Sequence, residues 1–183
     1  MMPPPAAERY PRRIPHQTTD DMDTAPSPAK RYYWEDFPIG RVIDLGSKAV
    51  SRDETLAFAG QFDPQPFHLD DDAAEASLFK RLSASGWHTC AMTMRLMCDS
   101  YLNDSAALGS PGVDELRWLK PVYPGDTISA EMTVLDARVM KSKPHVGLVL
   151  SRWRVFNQRG EDVMTMQGWG MFGVRHPAPR DAA

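Results

Sequence analysis

The sequence predicts an α+β domain in which an antiparallel sheet wraps around one long central helix. Three observations carry this reading. The stretch from Gly86 to about Leu102 is apolar nearly all round at helical spacing, and such a helix is normally enclosed by protein. Everything from Val113 to Phe172 reads as strands joined by short turns, which makes the sheet mostly antiparallel. Between the first strand and the long helix there is room only for short helices, so helices and strands are segregated along the chain.

Each element has its own local signal. Pro38-Ile39-Gly40 is a turn leading into a first strand, Arg41 to Val50, where Val42, Ile43 and Leu45 supply the apolar positions. Ser51 and Glu54 stand three apart as a capping box and start a short helix with Leu56, Ala57 and Phe58 inward. That helix must stop before Asp63-Pro64-Gln65-Pro66, because residues preceding proline avoid the α region. Asp70-Asp71-Asp72 opens a second short helix, its carboxylates at the positive end of the dipole. The long helix follows, carrying Trp87, Cys90, Met92, Met94, Leu96, Met97 and Cys98. A loop is expected over Asn103 to Gly112, then strands at Val113–Leu119, Thr127–Arg138, Val146–Phe156 and Val163–Phe172. Asn157-Gln158-Arg159-Gly160 reads as a hairpin turn, and Lys141-Ser142-Lys143-Pro144 as a basic hairpin tip.

Composition bounds the function. The chain has 183 residues, a formal net charge of −3, 42% hydrophobic and 25% charged residues. A mildly acidic balance gives no electrostatic footprint for nucleic acid. No apolar run is long enough for a membrane helix and no secretory signal core opens the chain, so the expected address is cytoplasmic. Residues 1–30 hold seven of the 16 prolines and few large apolar side chains, which predicts a disordered tail. Met22 within it is an alternative translation start. A folded unit of about 31–175 and a loose tail at 176–183 complete the expected organisation. Cys90 and Cys98 lie eight positions apart on one helix, about 12 Å, too far for a disulfide, and are expected as buried thiols packing as small hydrophobes.

Two features bear on chemistry. In Phe62-Asp63-Pro64-Gln65-Pro66-Phe67-His68-Leu69-Asp70, two rigid prolines hold a carboxylate and an imidazole five residues apart. An Asp beside a His can orient a water and exchange protons near neutral pH; the alternative is a polar loop in which Asp63 caps a turn and His68 packs. In Ser83-Ala84-Ser85-Gly86-Trp87, Ser85 is placed to cap the long helix by bonding the amide of Trp87 or His88. The Gly86 amide then stays free at a positive helix end, where an anion or a polarised carbonyl oxygen is favoured. Taken alone, that feature is equally a plain capped helix.

Together the two stretches resemble the MaoC-like dehydratases, the R-specific enoyl-CoA hydratases. Phe58 to Asp70 is similar to that family's hydratase motif, Ser85-Gly86-Trp87-His88-Thr89 to the start of its central helix, and Ser110 to Val122 with Pro124-Gly125-Asp126 to its downstream strand and turn. The resemblance covers about 32–173. It implies the hot-dog fold, with Asp63 and His68 as the catalytic pair and the Gly86 amide, flanked by Ser85 and Trp87, binding the thioester carbonyl. Many members have Asn where Gln65 stands, and His-Gly-Met in place of Ser85-Gly86-Trp87; the bulkier Trp87 is placed to reshape the acyl pocket.

The implied reaction adds water across a trans-2-enoyl thioester, or removes it from a 3-hydroxyacyl thioester. Coenzyme A enters as part of the substrate, and no cofactor or metal is implied because the thioester already acidifies the α-position. Asp63, His68, Asp70 and Asp71 form a conceivable cation cluster, but Asp70–Asp72 are better explained as helix-start charges. His88 either lines the pocket or is a hydrogen-bonded core histidine. Lys80 and Arg81 are candidates for the coenzyme A phosphates, with a solvated pair of charges as the alternative. By resemblance a homodimer or dimer of dimers is expected. Two other functions stay open: a thioesterase of the same fold, and a non-catalytic acyl-thioester binding subunit.

Overall fold

The computed structural model describes residues 30–177. The expected tail at 1–30 apart from Lys30, the Met22 start and most of 176–183 lie outside the described residues.

The first strand, β1, spans Val42–Ala49. Ser51 then caps α1, Arg52–Phe62, accepting the Glu54 amide on its hydroxyl at 3.1 Å. Only half of the capping box forms, because the Glu54 carboxylate turns to Lys48 instead, at 3.0 Å. Asp63 ends α1 ahead of Pro64, its N–H donating to the Ala59 carbonyl at 2.9 Å. The stretch expected as a loop contains one helical turn, α2, Pro66–Leu69, with Pro66 near its start. A ring whose φ is already helical, and which lacks the amide that would go unpaired there, favours that start. Asp70 caps α3, Asp71–Ala76, by accepting the Ala73 amide at 2.8 Å.

The central helix α4 runs Gly86–Met97 and continues as a widened π turn over Cys98–Leu102. It buries His88, Thr89, Met92, Thr93, Leu96 and Met97. It is not enclosed on every side: Trp87 is 58% exposed and Met94 47%. Cys90 and Cys98 are free thiols and half-buried rather than buried. The apolar stripe they share with Trp87 and Met94 faces outward in the single chain.

Four strands follow: β2 (Ala107–Trp118), β3 (Thr127–Met140), β4 (Lys143–Asn157) and β5 (Asp162–Gly173). The five form one antiparallel sheet in the order β1-β3-β4-β5-β2. β2 starts within the segment expected as a loop. Gly109, Ser110, Pro111 and Gly112 have turn composition, yet they pair with the end of β5 through irregular register, Gly109↔Met171 and Gly112↔Trp169. Gly109 has φ +117, a left-handed value that suits glycine. An edge strand also tolerates a proline.

The concave face of the sheet carries the core. Ile128, Ala130, Met132 and Val134 on β3 alternate inward and are at most 1% exposed. Val149 and Val155 on β4 and Met164 on β5 meet them under α4. Burying each such large side chain contributes about 1.5–3 kcal/mol. α1–α3 lie over the N-terminal end of α4 and deliver the Asp63–Asp70 segment to it.

Candidate active site

Asp63 and His68 sit at the seam between α1 and α2. The α2 turn buries His68 to 5% exposure among aromatic rings, with Phe67 at 4.6 Å and Phe79 at 5.9 Å between centroids. Its Nδ1 faces the Ser83 carbonyl at 2.8 Å. A carbonyl only accepts, so Nδ1 carries the proton and Nε2 is left for chemistry. Nε2 stands 3.6 Å from Asp63 Oδ2, beyond direct hydrogen-bond length. That gap is one that a water can bridge.

Both Asp63 oxygens are held. Gln65 Nε2 donates to Oδ1 at 2.7 Å and the Ser85 hydroxyl donates to Oδ2 at 2.6 Å. The Ser85 bond is the main reason the Asp63 pKa lies below the ordinary carboxylate value, with smaller contributions from Gln65 and His68 against the cost of burial.

Ser85 also caps α4, accepting the Trp87 amide at 3.2 Å. Gly86 is the first residue of the helix, so its own amide has no intrahelical acceptor. Its carbonyl accepts from the Trp118 indole at 3.0 Å, and a Cβ at this position would meet that ring at 2.5 Å. Only glycine lets the indole lie against the backbone here. Trp87 and Trp118 meet edge to face, centroids 5.4 Å apart. Asp63, His68, Ser85, Gly86, Trp87 and Trp118 all line one cavity of about 410 Å³.

All five residues singled out from the sequence therefore come together. His88 does not join them. It is buried, stacked on Phe58 at 4.9 Å, and lines a separate groove between α1 and α4. Its Nδ1 has no hydrogen-bond partner among the described residues, and burial pushes its pKa down. Arg81 lies over the Tyr123 ring at 3.7 Å, and Lys80 takes a left-handed φ of 62. Asp71 pairs with Arg52 at 2.6 Å, in keeping with a helix-start charge. Among the described residues no group of three or more His, Cys, Asp or Glu is arranged to hold a metal ion. Sequence reasoning missed Trp118, which lies 32 residues from Gly86, and missed the Ser83 carbonyl that sets the His68 tautomer. No spacing signals either contact, because the strand brings one and the approach to α4 the other.

The family profile described as "MaoC like domain" matches residues 36–151. The chain belongs to that family. A MaoC-like dehydratase from Rhodospirillum rubrum superposes with TM-score 0.74 at 42% identity, covering 79% of this chain and 99% of that one. An (R)-specific enoyl-CoA hydratase from the same species is 29% identical over 108 residues, 56% of this chain and 69% of that protein. A Mycobacterium tuberculosis protein with a double hotdogfold matches at TM-score 0.69 and 20% identity, over 83% of this chain and 46% of that chain. As a MaoC-like domain, the chain has the hot-dog fold, and its named relatives include hydratases and dehydratases. No helix among the described residues is long and apolar enough to cross a membrane.

Proposed function

We propose that the protein hydrates trans-2-enoyl-CoA thioesters, or dehydrates the corresponding 3-hydroxyacyl-CoA, as a cytoplasmic hydro-lyase. The observation that carries this reading is the facing pair, Asp63 Oδ2 and His68 Nε2 3.6 Å apart, lining the same cavity as Gly86, whose helix-start amide has no intrahelical acceptor. Both atoms accept hydrogen bonds, and one water donating a hydrogen to each has its oxygen lone pair directed outward, toward a β-carbon.

In the hydration direction Asp63 takes a proton as the water oxygen bonds to C3. The C2–C3 π electrons move to the thioester oxygen, where the Gly86 amide and the α4 dipole stabilise the enolate. The proton is then delivered to C2, assisted by His68, and the carbonyl re-forms. An oxyanion donor of this kind is worth about 3–4 kcal/mol of barrier, and acid–base help about 10²–10⁴-fold. Trp87 and Trp118 wall the cavity beside the carbonyl position. A second apolar cavity of about 470 Å³, lined by Met94, Met97, Met166 and Met171, lies farther along α4 and is the place for an acyl tail.

We also propose a homodimer, or a dimer of such dimers, formed through β2. Every residue of this edge strand except Leu116 is exposed, including Leu108 and Val113 at 54% and 56%. Open, apolar strand edges invite pairing with another chain.

The test is loss of the conjugated enoyl-thioester absorbance with crotonyl-CoA and longer trans-2-enoyl-CoAs. Loss with the native chain, abolished in Asp63→Asn and His68→Ala, is the expected result. Release of free thiol without hydration would make the protein a thioesterase. Inactivity in both assays, with acyl-CoA still bound, would make it a binding subunit.

A further inference from the structure

We infer that Ser85 is the positioning residue of the catalytic base rather than a substrate-binding group. This rests on the hydratase reading of Asp63. Ser85 is 1% exposed, and although it borders the cavity its hydroxyl is already engaged on both sides. Its single hydroxyl proton goes to Asp63 Oδ2 at 2.6 Å, and its oxygen accepts the Trp87 amide at 3.2 Å. A hydroxyl has one proton to give, so no donor capacity is left for a thioester oxygen.

The geometry makes one hydroxyl the mechanical link between the two halves of the site. The base enters from the end of α1, and the oxyanion amide sits on the first residue of α4. Ser85 ties the first to the second, fixing the Asp63 carboxylate plane relative to the Gly86 N–H. It also leaves Asp63 with less affinity for a proton, since a hydrogen bond to the charged form favours that form. The other groups facing Asp63 are Gln65 from the same segment and His68 from α2. Lys120, on the cavity wall after β2, is paired with Glu161 at 2.6 Å.

The experiment compares the full native chain with Ser85→Gly and Ser85→Thr. Glycine is nearly as good a helix cap as serine but has no hydroxyl; threonine keeps it. The carboxyl of Asp63 is followed by carbon-13 NMR through a pH titration, assigned by its absence in Asp63→Asn. In Ser85→Gly the Asp63 titration moves to higher pH and kcat on crotonyl-CoA falls roughly ten- to a hundredfold, with KM little changed; Ser85→Thr titrates as the native chain does. An unchanged Asp63 titration in Ser85→Gly would overturn the inference and leave Ser85 a helix cap only. If the threonine variant does not fold, the native-to-glycine difference decides alone. The titration reads without turnover, so a native chain that hydrates nothing would defeat the hydratase reading while this comparison still ruled on Ser85.

Discussion

Asp63 receives a hydrogen bond on each carboxylate oxygen, and the sum holds its pKa below the ordinary 3.8. A carboxylate whose pKa is lower folded than unfolded adds stability that is full above the unfolded value. That stability is lost as pH falls through the folded one. The neutral isostere in Asp63→Asn lacks this contribution. Urea unfolding of the two proteins is therefore expected to show its largest difference above about pH 5, narrowing as pH drops below 3.8. A difference that stayed constant down to pH 2 would contradict the assignment. Gly86 makes a second residue-scale case. A methyl there must displace the Trp118 indole, and overpacking costs about 1–3 kcal/mol. Because the indole is 48% exposed it has somewhere to go, so Gly86→Ala is expected to fold and to lose hydration rate. In a Trp118→Ala background the same substitution should cost less. Strict additivity in that double-mutant cycle would show that the two residues do not interact.

Elements differ in how far local sequence determines them. The helix starts at Ser51 and at Asp70-Asp71-Asp72 and the stop at Asp63-Pro64 were legible because each acts over three or four residues. The structure puts both helices there, with Ser51 making half of the expected capping box and Asp70 serving as a cap rather than only as a dipole charge. The α2 turn was not legible: four residues are too few for periodicity, and Pro66 reads equally as a loop residue. The first half of β2 failed for the opposite reason, since its glycines and proline have turn chemistry and only pairing with the distant β5, Gly109 with Met171 and Gly112 with Trp169, makes it strand. In the site, Asp63, His68 and Gly86 were visible as residue types in sequence. The Ser85–Asp63 bond, spanning 22 residues, and the Trp118 contact arise only from tertiary packing. The Ser51 cap carries a prediction of its own. Ser51→Ala removes the acceptor for the Glu54 amide and is expected to cost about 1 kcal/mol of stability, read as a lowered denaturation midpoint. The far end of α1, which bears Asp63, is pinned independently by Ser85. Hydration per folded molecule should therefore change less than twofold; a large loss would mean that the cap and the base are coupled through α1.

At the scale of the molecule the sheet is unevenly covered. β3 and β4 are paired on both edges, while among the described residues β2 has β5 on one side and no strand on the other. Beside that open edge lie the outward stripe of α4, with Trp87 and Met94, and the apolar side chains Leu108 and Val113. Charged residues within β2 are few, with Asp114, Glu115 and Arg117 near its end and none from Ala107 to Val113. The uncharged first half of this edge is open to strand pairing between copies, and an edge lysine is one of the ways natural proteins prevent it. Two copies related by a two-fold axis would set β2 against β2, antiparallel, and cover Trp87 and Trp118 at the mouth of the Asp63 cavity. Sedimentation of the native chain is then expected at twice the 20.5 kDa chain mass or a multiple of it, with Leu108→Lys and Val113→Lys shifting it toward the single chain. The same variants test whether pairing completes the site. Leu108 is the decisive position, since it lines neither the Asp63 cavity nor the apolar one, whereas Val113 lines the latter. In Leu108→Lys a fall in hydration that tracks the monomer fraction, and recovers at high protein concentration, would mean that the second copy closes that mouth. A native chain that sediments as a monomer and still turns over would show instead that each hot-dog unit works alone.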